Sequence, residues 1–238
     1  SAETVRGLHA PPRVLAMQLS QTLNIQRMLA TFRSWRERWL YRLELPLVRA
    51  YEARTWQRFT QTVLIGPADL AAVEQACAAE GQRPIDNAVL IPHGVDLAMP
   101  PPNPDLQQPE TAVFLGVLCT NTNAEAVLWF VREVWPVVRQ KRPNARFVVM
   151  GRRPRAVVQA LNGRDGVEVV GEVSDPAPYL AGAAVAVNPV QAGAGMQNKL
   201  LDYAAAGKAI VATSVANEGI GLPPGEAVPL EATRSEKR

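Results

Sequence analysis

Val-Ala-Val-Asn-Pro-Val-Gln-Ala-Gly-Ala-Gly-Met-Gln-Asn-Lys-Leu-Leu-Asp-Tyr-Ala-Ala-Ala-Gly-Lys-Ala-Ile-Val-Ala-Thr, residues 185–213, decides how this chain is read. Val185 and Val187 alternate with period two, and Pro189 stops the strand they begin. Gly193 and Gly195 let the backbone turn tightly, with no β-carbon to obstruct an incoming group. Residues 197–206 have the Leu, Ala and Lys content of a helix, and Gly207 stands where a helix is stopped. Ile210 and Val211 open the next strand. Strand, glycine loop, helix, turn and strand follow in order. The free N–H groups that begin the helix face the glycine loop, with the positive end of the helix dipole behind them, and such a place suits a phosphate.

The same residues carry a family resemblance. Gly195 to Val211 resembles the donor-binding signature of retaining GT-B glycosyltransferases of the glycosyltransferase 4 group, and is most similar to the subgroup associated with exosortase and exopolysaccharide loci. The resemblance implies that an acidic residue on the helix holds the ribose of a nucleotide-sugar, and Asp202 stands there in place of the usual Glu. The group's earlier acidic residue falls at Ala194. Weaker landmarks of the group occur in order across residues 111–222: Phe114-Leu115-Gly116, Thr122-Asn123, Trp135-Pro136, Phe147 to Gly151, Gly171 to Asp175, and Tyr179-Leu180. Pro92-His93-Gly94-Val95-Asp96 resembles the segment that closes the group's N-terminal domain, with His93 in the place of an Asn. His93 itself reads as a turn residue.

The chain has 238 residues, 47% of them hydrophobic and 20% charged, an ordinary globular composition. A net charge of +3 is too small to argue for nucleic acid without a concentrated patch. Cys77 and Cys119 read as two free buried thiols of a cytosolic protein. No spacing suggests a zinc site, and no apolar run is long enough to span a membrane.

Residues 1–12 read as a tail or loop and Val14–Met17 as a short strand. Residues 21–59 form a long helical segment that Pro46 should break or kink into two helices. Arg27, Arg33, Arg36, Arg38 and Arg42 accompany Trp35, Trp39 and Tyr41. Three readings stay open for residues 27–58: a core or subunit interface, a helix lying on a membrane surface, and nucleic-acid binding. Glu37, Glu44 and Glu52 dilute the charge and favour the first. A strand over 61–65, a helix over 68–79 and a strand over 88–91 complete this part.

The fold class is α/β, with a partial N-terminal α/β segment over 1–99, a Pro-rich linker over 100–110 and a Rossmann-like parallel sheet over 111–238. Strands are expected at 111–116, 146–150 and 167–170. Helices are expected at 124–140, with Pro136 kinking it, at 155–161, and at 175–181, capped by Asp175. Strands that alternate with helices and end in glycine describe right-handed parallel units, with ligands at the carboxyl ends of the strands. Set against the resembling group, the chain is expected to be shortened at both ends.

The chemistry that the resemblance implies is sugar transfer from a nucleotide-diphosphate donor with retention, in polysaccharide or glycoconjugate synthesis, without metal or cofactor. The acceptor stays unknown, and the expected place is the cytoplasm, with the inner face of the membrane as an alternative. For this domain the task is charge stabilisation at the leaving phosphate. The candidates are the Gly195, Met196 and Gln197 N–H groups in the Gly193–Gly195 loop, with Lys199 or Arg152 as the cation. Lys199 lies on the first helical turn, where a cation opposes the dipole unless an anion is near. Asp202 faces ribose or pairs with Lys199, and Glu172 borders the base through its backbone. Asn121 and Asn123 either meet the donor or belong to a helix cap. A non-catalytic protein with a degenerate site is the alternative to an enzyme.

Overall fold

The computed structural model describes residues 12–31, 35–95, 108–223 and 227–229, in two compact units. The first unit runs to His93 and takes in residues 192–196; the second comprises residues 94–191 and those from Gln197 onward.

In the first unit β1 (Val14–Gln18), β2 (Gln61–Leu64) and β3 (Ala88–Leu90) form a parallel sheet in the order β1-β2-β3. Three helices accompany them: α1 (Gln21–Thr31), α2 (Trp35–Thr55) and α3 (Pro67–Ala79). Its core gathers Ala53, Trp56, Leu64, Val73, Ala76 and Cys77. The Trp56 indole N–H donates to the Ala53 carbonyl at 3.1 Å, so the largest buried side chain leaves no donor unpaired. Glu52 is buried, and its carboxylate accepts from Ser20 Oγ, Gln21 N and Thr22 N at the start of α1. A negative charge there matches the helix dipole.

Pro46 does not break the helical segment. It lies inside α2, and the interruption falls between Thr31 and Trp35, over residues 32–34, which are outside the described set. Pro46 removes one N–H and leaves the carbonyl one turn earlier unpaired. Arg42 and Pro46 are both exposed, so water can satisfy that carbonyl. Two fates divide α2. Its end, at Glu52, Ala53 and Thr55, is buried, whereas Trp35, Trp39, Leu40, Leu43 and Leu47 are exposed.

The second unit holds a six-stranded, all-parallel sheet in the order β6-β5-β4-β7-β8-β9. Its strands are β4 (Gln108–Leu115), β5 (Arg146–Met150), β6 (Val167–Gly171), β7 (Ala183–Asn188), β8 (Ala209–Ala212) and β9 (Ala227–Pro229). The chain starts at β4, builds outward to β6, then returns to the other side of β4 with β7. The order reverses between β4 and β7, and in open parallel sheets the carboxyl ends at such a switch point are where ligands bind. The strands are apolar on both faces because helices cover both sides. One face packs Val113, Ala186, Leu200, Tyr203 and Ile210; the other packs Phe114, Phe147, Val149, Trp135 and Phe130.

The helices depart from expectation in instructive ways. The helix expected at 124–140 is three pieces: α4 (Asn121–Trp129), a π-turn (Phe130–Val134) and α5 (Trp135–Lys141). Pro136 stands in the first turn of α5, where its missing N–H costs nothing, and the π-turn absorbs the change. The helix expected at 155–161 shrinks to α6 (Ala156–Gln159). In α7 (Ala177–Gly182) the cap position is Pro176, and Asp175 accepts from the Ala177 N–H at 2.9 Å from one residue earlier. The strand expected from Thr111 begins at Gln108. Two elements went unforeseen, α9 (Ser214–Asn217) and β9. The linker expected over 100–110 lies outside the described residues except for its last three, which belong to β4. Asp96 and the polar tail after Glu231 also lie outside them.

The thiols differ. Cys77 is buried and Cys119 is exposed, because Cys119 sits in the loop after β4 and not on a core face. Cys119 is therefore expected to react with a thiol reagent in the folded protein while Cys77 waits for unfolding. One equivalent released in native buffer and a second in denaturant, counted by absorbance, is the expected result; two fast equivalents would contradict the burial of Cys77.

Candidate functional site

The site is built at the switch point of the second unit. The β4–β7 ladder runs to Val113 opposite Ala186 and goes no further. Beyond it the Leu115 N–H donates to the Tyr203 phenol oxygen at 2.8 Å, and that hydroxyl lies 3.5 Å from the Val187 carbonyl. Tyr203 belongs to α8 (Asn198–Ala205), the helix that follows β7. A buried phenol thus takes the place of a missing ladder bond between the two strands. Burial drives its hydroxyl well above the ordinary tyrosine range, so it stays protonated.

The end of α8 is fixed as firmly. Gly207 has φ 62°, its N–H donates to the Ala204 carbonyl at 2.9 Å, and the Lys208 N–H donates to the Tyr203 carbonyl at 3.0 Å. These two bonds make the Schellman stop that a glycine after a helix announces. Lys208 is buried, and its ammonium donates to the Ala181 and Ala183 carbonyls at 2.9 and 3.1 Å, a cation at the C-terminal end of α7.

One turn before Tyr203, Lys199 lies at the same switch point. Its Nζ donates to Asn123 Oδ1 at 2.6 Å and lies 4.5 Å from the centroid of the Phe114 ring. Burial alone lowers its pKa to about 7 from the ordinary 10.5. The Asp202 carboxylate, half-buried on the same helix, makes no hydrogen bond or ion pair among the described residues, so the pairing of Lys199 with Asp202 does not form. Desolvation raises the Asp202 carboxyl.

The loop after β4 removes the cap alternative for Asn121 and Asn123. Thr120 is the cap of α4, its Oγ1 accepting from the Asn123 N–H at 3.3 Å. Asn121 accepts from Arg155. Asn123 is neither free nor a cap: it joins Lys199 to the loop, its Nδ2 donating to the Val117 carbonyl at 3.1 Å.

Arg152 follows β5 and is exposed, and its carbonyl accepts from the Leu118 N–H at 2.9 Å. Glu172 is exposed after β6, the edge strand, two places from β4. Gly193 and Gly195 have φ 150° and 73°, conformations that favour glycine, and together with Met196 they group with the first unit. Gln197 occupies the cap position of α8, and its carbonyl accepts from the Leu200 N–H at 2.9 Å. Ala194 is buried and carries no polar group. His93 is exposed in a loop. The structure therefore places Lys199 and Asp202 on α8, after Gln197 at its cap position, ties Lys199 to the candidate Asn123, and adds Tyr203, which sequence reasoning passed over. The spacing of Lys199 and Tyr203 by four could have marked them as one helix face; nothing local marks Asn123 as the partner of Lys199.

Comparisons with known proteins agree with this architecture. A family model described as "Glycosyl transferases group 1" matches residues 109–229, just over half of the chain. A Klebsiella pneumoniae protein described as an "Uncharacterized 44.6 kDa protein in cps region" is 26% identical over 122 residues, 48% of this chain and 31% of its own. Anabaena HepE, solved in complex with UDP and glucose, superposes with a TM-score of 0.65 at 13% identity, over 92% of this chain and 57% of its own. TarM does so with 0.63 at 13% identity, over 79% and 36%. WaaG, described as a glycosyltransferase involved in lipopolysaccharide biosynthesis, gives 0.56 at 15% identity, over 92% and 63%. The chain thus spans about a third of the curated relative's length.

Proposed function

Since the chain belongs to the group 1 glycosyl transferases, we propose that it takes part in transferring a sugar from a nucleotide-diphosphate donor, with retention, in polysaccharide or glycoconjugate synthesis. The observation that carries this reading is the group of side chains at the β4–β7 switch point. There α8 carries an ammonium that no carboxylate among the described residues neutralises and an unpaired carboxylate three residues further on. Solved relatives in fold hold UDP, as the HepE complexes are described.

In this reading Lys199 and the N–H group of Gln197 at the start of α8 stabilise the leaving diphosphate. Charge develops there as the glycosidic bond to phosphate breaks, and fixed donors away from water act on it without reorganising. Asp202 accepts from the ribose hydroxyls, which explains a half-buried carboxylate with no partner among the described residues. Arg152 adds a second, solvated cation at the strand ends, and Glu172 borders the base. The exposed Trp35, Trp39, Leu43 and Leu47 of α2, beside Arg38 and Arg42, are the surface offered to a lipid headgroup layer or a partner subunit. The reaction then belongs in the cytoplasm, at the inner membrane face when α2 meets lipid.

Calorimetric titration with UDP and GDP tests the reading. The chain is expected to bind one of them, and Asp202→Ala to weaken it by about 10- to 100-fold, the effect of one or two hydrogen bonds to a charged group. A folded chain that binds neither nucleotide would leave the degenerate-site alternative standing.

A further inference from the structure

The amide of Asn123 links the two helices that border the switch point. It is on α4, which follows β4; Lys199 is on α8, which follows β7. The residues are 76 apart in sequence and their side chains meet at 2.6 Å. Both ends of the amide are engaged, Oδ1 by the ammonium and Nδ2 by the Val117 carbonyl. Only one orientation satisfies both, because an ammonium can only donate and a carbonyl can only accept. The Asn123 backbone is held as well, by the Thr120 cap. Gly116 leaves the room: a β-carbon there would stand 3.1 Å from the Asn123 amide atoms.

We propose that Asn123 is a positioning residue for Lys199, holding its ammonium at the switch point through a neutral bridge so that the positive charge remains for the donor's diphosphate. This rests on the nucleotide-sugar reading above. Half-buried lysines commonly find a carboxylate, and that pairing spends the charge. Here the acceptor is an amide and the other neighbour is the Phe114 ring, which attracts a cation without carrying net charge. The nearest acid along the helix, Asp202, is left out of the arrangement. Burial keeps the ammonium weakly solvated, so a phosphate arriving at the switch point would meet an almost bare cation. The bridge also settles where Lys199 points: without it, four rotatable bonds would let the side chain leave for solvent.

The test is a double-mutant cycle on the full chain, read by titration with UDP, GDP and inorganic pyrophosphate. Asn123→Asp preserves size and keeps an acceptor facing Lys199, gives up the donation to the Val117 carbonyl, and neutralises the ammonium. It is expected to weaken UDP and pyrophosphate binding by about 10- to 100-fold. Lys199→Met is expected to weaken both by a similar factor. The double variant should bind no more than about threefold worse than Lys199→Met alone, since the second change acts only through the first. Thermal melts of each variant establish that the fold is intact; if Asn123→Asp does not fold, Asn123→Ser, which shortens the acceptor, replaces it in the cycle. Asn123→Asp binding within about threefold of the parent, or losses that add in the double variant, would overturn the inference and leave the donor reading in place. A parent chain that binds neither nucleotide would overturn both.

Discussion

Lys199→Met is expected to slow sugar transfer by about 10²- to 10³-fold while leaving the protein as stable as before or more so. The first half follows from its place at the switch point, where one fixed donor to the leaving phosphate contributes about 2.7–4 kcal/mol to the transition state. The second half follows from burial. A lysine whose pKa has fallen to about 7 is one whose charged form the fold disfavours. Met has the length to lie along the Phe114 ring and asks for no desolvation. The pH dependences separate the two effects. The unfolded chain keeps this proton up to about the ordinary 10.5, whereas the folded chain releases it near 7. The unfolded state therefore binds more protons between those values, and this group's contribution to stability rises with pH across them. Diphosphate binding runs the other way, since it needs the ammonium, and should weaken as pH rises past about 7. Titrations in buffers of different ionisation enthalpy should show proton uptake on binding in the parent and none from this group in Lys199→Met. A variant with parental turnover would remove Lys199 from the chemistry.

The second large effect is structural. Gly151→Ala is expected to destabilise the second unit by more than about 4 kcal/mol, in the range reserved for outright steric conflict. A β-carbon on Gly151 would stand 1.5 Å from the Gly116 carbonyl oxygen, and φ at Gly151 is 152°. The strand ends are sewn together here. The Gly116 N–H donates to the Met150 carbonyl at 3.0 Å and the Gly151 N–H to the Gly171 carbonyl at 2.7 Å. Room for a methyl group means parting β4 from β5 at their carboxyl ends. Gly163→Ala provides the contrast. That glycine also has positive φ, 77°, but nothing lies within 4 Å of its would-be β-carbon, so only about 1 kcal/mol of backbone strain is expected. Denaturant midpoints decide it: two variants of equal stability would mean that the close approach of Gly151 to Gly116 yields without cost.

What was legible in the sequence is what rests on period and punctuation. Apolar runs closed by a glycine, such as Phe147–Met150 before Gly151 and Val167–Val170 before Gly171, marked strands of the second sheet, and Gly207 marked the stop of α8. Those signals are local, and the physics behind them is local too. Pro46 misled because its local cost is overridden by the packing of the helix beyond it, whose end at Glu52, Ala53 and Thr55 is buried. The strand at Ala227–Pro229 is three residues long and shows no period to read. The link between Asn123 and Lys199 and the role of Tyr203 escaped for another reason. The partners lie 76 and 88 residues away, and only the return of the chain at the switch point brings them within reach. The acid at 202 and the cation at 199 could be nominated from one helix; that they would not pair with each other could not.

A short helix set against a sheet keeps two easy motions, sliding along its axis and rolling about it. In α8 the Tyr203 hydroxyl anchored at Leu115 opposes the slide, and Lys199 tied to Asn123 one turn earlier opposes the roll. The pair acts as two pins in one part, and two pins leave no freedom to a rigid body lying in a plane. An anion arriving at this end of the helix has no disorder to remove, so the binding energy that a looser helix would surrender to ordering remains available for affinity.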